Sequence, residues 1–124
     1  MLSNEDVEWI SNELKERWSD FLELLKESWK EVKKTKKGCA QDRHLRIHLS
    51  RHIEKYYREK HLIIGHIIRN ILADEIIETA IAKGILKVVS NISKPIYYAR
   101  SGRFGKGIKG WNSYRNVVLS EDVI

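Results

Sequence analysis

Ile81-Ala82-Lys83-Gly84-Ile85-Leu86-Lys87-Val88-Val89 is the stretch on which the fold turns. Upstream of Gly84, apolar residues recur every three or four positions, the period of a helix with one buried face. Downstream, β-branched residues run together, as strands require. A glycine at that boundary suits the left-handed turn that ends a helix. The chain is therefore expected to be α+β and mainly helical, with its strands after residue 84.

Working back from Gly84, residues 41–83 read as a helical region. Leu45, Leu49, Ile53 and Tyr56 or Tyr57 lie three or four apart, as do Ile64, Ile67 or Ile68, Ile71 and Leu72. Gly65 divides the region into helices of about 41–63 and 66–83. The alternatives are one long helix tolerating the glycine at about 1 kcal/mol, or a separate helix 74–83 capped by Asp74. Further back, residues 3–37 read as one long amphipathic helix. Ser3 and Asp6 form a capping box, and Glu5, Asp6 and Glu8 complement the positive helix end. Lys33, Lys34, Lys36 and Lys37 crowd the other end, before Gly38. Val7, Leu14, Trp18, Phe21, Leu25 and Val32 form an a/d-type seam, widened by Ile10, Leu22 and Trp29.

Working forward, Ile85–Val89 and Ile96-Tyr97-Tyr98-Ala99 suggest two antiparallel strands joined by a turn over Asn91–Pro95. Ser101–Gly110 holds four glycines among three cations and reads as a loop or arm. Val117-Val118-Leu119 suggests a third strand. At 124 residues the whole chain, 1–124, is one domain.

Charge sharpens this picture. Between Glu78 and Glu121 no acidic residue occurs, whereas Lys83, Lys87, Lys94, Arg100, Arg103, Lys106, Lys109 and Arg115 do. The formal charge of +6 is thus concentrated in the last third. Tyr97, Tyr98, Phe104, Trp111 and Tyr114 are interleaved with those cations. Cations for phosphates and flat rings for bases are what a nucleic-acid surface needs. The expected site is Lys94, Arg100, Arg103, Lys106, Lys109 and Arg115 for charge, with Tyr97, Tyr98, Trp111 and Tyr114 for stacking. DNA is expected ahead of RNA. A solvated basic loop, or one docked on the acidic N-terminal helix, is the plainer alternative.

The run Ile81–Val89, followed by Ile96-Tyr97-Tyr98-Ala99-Arg100, resembles the end of a winged-helix domain over residues 62–100. That resemblance implies a recognition helix ending in a glycine and a two-stranded wing after it. Asp74, Glu75 and Glu78 on the would-be recognition helix depart from the pattern, because carboxylates face phosphates unfavourably. The resemblance therefore implies binding by the wing and arm rather than by the helix.

Other features point elsewhere or nowhere. His44, His48 and His52 share a helix face at spacings of four, with Cys39 upstream, which is compatible with metal chelation. With Arg43, Arg46, Arg51, Lys55 and Arg58 they make a basic helix surface that offers a second nucleic-acid contact, and no metal is expected. No paired-carboxylate, nucleophile–base or phosphate-loop pattern occurs, so neither an enzyme nor a cofactor is expected. A 35-residue helix would span about 52 Å, more than one small domain covers. Val7, Leu14, Trp18, Phe21, Leu25 and Trp29 are accordingly expected at an interface of a homodimer or larger assembly. A rival reading makes the chain an assembly subunit of a virus or mobile element. One cysteine fits a reducing compartment, and no apolar run approaches the roughly 18 residues of a membrane span. The protein is expected in the cytoplasm, or in a virion if viral. Abundant Ile, Lys and Glu with a single glutamine is a composition common in thermophile proteins, so an archaeal or viral source is a weak expectation.

Overall fold

The computed structural model describes residues 2–97 and 108–122. Helices α1 (Asn4–Glu16), α2 (Trp18–Glu31), α3 (Asp42–Glu59) and α4 (His66–Ala82) form the body. Strands β1 (Ala40–Gln41), β2 (Leu86–Tyr97) and β3 (Ile108–Leu119) form an antiparallel sheet in the order β1-β3-β2. The chain is α+β, and no described helix is long and apolar enough to cross a membrane.

The expected capping box opens α1: the Ser3 hydroxyl accepts from the Asp6 N–H, and the Ser3 N–H donates to the Asp6 carboxylate. The long N-terminal helix is not continuous, however. It breaks at Arg17, where neither proline nor glycine stands. The cause is tertiary. An aromatic cluster of Trp9, Phe21, Tyr56 and Tyr57 packs around the elbow, and α1 lies against α4 while α2 lies against α3. A straight rod could not serve both. Polar groups tie the bend together. Arg17 Nε donates to both Glu13 carboxylate oxygens at 3.0–3.1 Å, and the Tyr57 hydroxyl donates to Glu13 Oε1 at 2.9 Å. Burial, then the hydrogen bond to Glu13, pushes the Tyr57 hydroxyl well above its ordinary pKa.

Helix α2 also stops early, at Glu31 instead of residue 37. Val32 is the last seam residue to be buried. The lysine-rich stretch beyond it has no apolar face to bury and repels itself. Lys34 instead folds back to donate to the Trp29 and Val32 carbonyls. Gly38, with φ of +82°, serves a turn in which its N–H donates to the Thr35 carbonyl.

Of the readings of 41–83, division at Gly65 is the one observed. Helix α3 ends earlier than residue 63, with His61 in the left-handed region at φ of +62°. The Leu62 N–H reaches the Tyr57 carbonyl and the His61 N–H the Arg58 carbonyl, a Schellman closure. The same closure ends α4, with Gly84 at φ of +75°.

One core joins helices and sheet: Phe21, Leu25, Leu45, Leu49, Ile53, Leu72, Ile76, Ala80, Leu86, Val117 and Leu119 are almost inaccessible. The strands differ from expectation. Asn91–Pro95 is not a turn but the middle of β2, which pairs without a gap from Ser90↔Asn116 to Ile96↔Gly110. Turn-forming residues read locally as a break, but pairing with β3 satisfies their backbone groups. Pro95 is tolerated because β2 is an edge strand. A register shift between Val88 and Ser90 bulges the strand where it leaves the core.

Candidate nucleic-acid interface

Strands β2 and β3 run twelve residues each, about 40 Å of extended backbone. Only their inner ends are packed. The resulting ribbon, with its connection, carries Lys87, Lys94, Arg100, Arg103, Lys106, Lys109 and Arg115 and no carboxylate from residue 79 to 120.

The start of α3 clamps the ribbon where the sheet narrows. Strand β1 ends at Gln41, opposite Asn116, so the next backbone group of β3 needs another partner. Asp42 supplies it: Oδ1 accepts from the Arg115 N–H at 3.0 Å, and Oδ2 accepts from Arg115 Nε at 2.8 Å. The Arg115 guanidinium also reaches Glu78 on α4. Hydrogen bonds to Glu78 first, then Asp42, hold it further into the charged form than a free arginine. On the other face Arg43 lies 4.4 Å over the Tyr114 ring and donates to the Asn112 and Gln41 side chains. The ribbon is therefore fixed in direction by ion pairs on one face and a cation–π contact on the other.

The expected site residues fall into four groups. Lys94 and Trp111 are exposed on the ribbon, Trp111 by 59%. Arg115 and Tyr114 belong to the clamp: the guanidinium is neutralised by two carboxylates and the ring is covered by Arg43. Tyr97 and Lys109 lie in β2 and β3. Tyr98, Arg100, Arg103 and Lys106 lie outside the described residues.

Asp42 and Arg43 are the residues that sequence reasoning missed. The one signal available was an acid at the first position of a helix, which reads as ordinary end-charge complementarity.

Two of the three carboxylates of α4 are also partnered. Asp74 pairs with Arg46 at 3.3 Å and Glu78 with Arg115. On α3, His48 and His52 both flank Glu31, at 3.4 and 2.9 Å. Among the described residues no three His, Cys, Asp or Glu side chains are grouped to hold a metal.

The residues expected at an interface divide as well. Phe21, Leu25 and Trp29 pack inside this chain, Leu14 and Trp18 are half-buried, and Val7 is 53% exposed. Val7 borders a groove of about 320 Å³ between α1 and α4, also lined by Leu2, Ile10, Leu14 and Ile71. No protein-family model, curated protein or solved structure matches the chain.

Proposed function

We propose that the protein binds nucleic acid, DNA ahead of RNA, through the β2–β3 ribbon, and that it is a binding protein rather than an enzyme. The observation that carries this reading is a clamped, acid-free ribbon holding Lys94 and Trp111 out from the body. Its cations lie along a stretch without a carboxylate, and among the described residues only Arg115 of them is tied to acids; glycines at 102, 105, 107 and 110 allow close backbone approach. Helix α4 ending at Gly84 and leading directly into a hairpin supports the winged-helix resemblance. With Asp74 and Glu78 tied to arginines, the wing rather than the helix is the binding element. The location that follows is the cytoplasm, or a virion if the source is viral.

Fluorescence anisotropy of labelled duplex DNA, single-stranded DNA and RNA across a salt series tests this. Affinity should fall steeply with salt, with a slope of about 0.9 per phosphate contact on duplex. Replacing Arg100, Arg103 and Lys106 by alanine should flatten that slope without changing helicity. No binding at low salt would defeat the proposal.

A second reading, self-association into a dimer or larger assembly, is favoured by the α1–α4 flank. There Val7 is exposed at the groove, and Leu62, Ile63 and Ile67 are exposed where the chain enters α4, Ile63 by 92%. Sedimentation at rising concentration, without nucleic acid, tests it.

A further inference from the structure

We propose that Trp111 and Pro95 form a wedge that enters a base step of duplex DNA and kinks it; this rests on the nucleic-acid reading of the ribbon. The two residues are direct cross-strand partners, so their side chains stand side by side on one face, about 5 Å apart. By the two-residue period, Ser113, Arg115, Val117 and Leu119 share that face. Behind the wedge on it lie Ser93 and Ser113, whose hydroxyls are hydrogen-bonded at 3.2 Å. Two serines make a low shelf, so the indole stands above its surroundings, 59% exposed, with the half-buried pyrrolidine beside it.

Two features favour a duplex as the occupant. First, the charge is complementary: no carboxylate lies on either strand or their connection, and Lys94 adjoins Pro95. Second, a two-stranded ribbon is narrow enough to follow a groove of the double helix. Tyr114 lies on the opposite face beneath Arg43. An apolar ridge among cations is suited to prising one step apart. Proteins that do this bend DNA by about 20–90°. The clamp at Asp42, Glu78 and Arg43 makes the ribbon stiff enough at its root to hold a bent duplex.

The test uses the full chain and a 25-base-pair duplex carrying a donor and an acceptor dye at its ends, with anisotropy read on the same sample. The expected result is a rise in energy transfer on saturation. Trp111→Ala should abolish most of that rise and weaken binding about tenfold, while the salt slope stays unchanged; Trp111→Phe should restore part of both. Saturable duplex binding without a change in transfer would overturn the wedge and leave the nucleic-acid reading standing. So would a change that Trp111→Ala does not affect, or a tenfold preference for single strands. Absence of binding to any nucleic acid at low salt would remove both.

Discussion

One face of β3 carries Val117 and Leu119 at its inner end and Trp111 and Ser113 at its outer end. The inner pair is sealed into the core, whereas the outer tryptophan is the most exposed aromatic described. The strand and the face are the same, and β2 pairs with both ends; what differs is that the inner end also meets β1 and the helices. Helices α3 and α4 cover the sheet as far as Arg115 and then leave it. Packing and exposure are therefore divided along a single strand, with the Asp42–Arg115–Glu78 clamp at the boundary.

The sharpest way to break this division is to delete large apolar groups on each side of it. Leu49→Ala, in the body, should cost about 2–5 kcal/mol. Trp111→Ala removes a larger side chain and should change stability by less than about 0.5 kcal/mol. Urea unfolding followed by circular dichroism measures both, and comparable losses would mean that the outer ribbon is packed. Next comes the boundary itself. Arg115→Ala leaves Asp42 and Glu78 facing each other without their cation and should cost about 1–3 kcal/mol. Amide exchange should quicken in β2 and β3 beyond the clamp and stay slow in α3.

Much of the body was legible in local chemistry. Ser3 and Asp6, Gly65 and Gly84 each act through neighbours a few residues away, and each does what its type and position imply. What was not legible depends on partners far along the chain. Ala40–Gln41 is a strand only because Val117 and Asn116 lie beside it. Asn91–Pro95 stays extended only because β3 pairs with it, and the break at Arg17 exists because Tyr56 and Tyr57 fill the elbow. In the site, the exposure of Lys94 follows from its charge, whereas that of Trp111, an apolar ring, depends on which part of β3 the helices leave uncovered. The capture of Arg115 and Tyr114 was hidden, since Asp42 and Arg43 precede them by more than seventy residues.

Two smaller predictions probe the body alone. The Tyr57 hydroxyl is held above its ordinary pKa of 10, so the folded state keeps a proton that the unfolded chain releases. This contribution is full below pH 10 and falls away as pH rises above it. Tyr57→Phe should remove that alkaline component from the melting profile while costing about 1–2 kcal/mol at neutral pH. His61, in the left-handed region without being glycine, should accept His61→Gly with a gain of about 0.5–1 kcal/mol. A loss there would show that the imidazole makes a contact worth more than the backbone strain.

The edge position of β2 has a consequence for life at high concentration. Its outer hydrogen-bonding groups are open, and Val88 and Val89 are exposed beside them, the ingredients for strand-to-strand polymerisation into fibrils. Three features spoil the template within ten residues: the bulge between Val88 and Ser90, the charge of Lys94, and Pro95, which has no N–H to offer. An edge strand left uncovered is in this way kept from recruiting copies of itself.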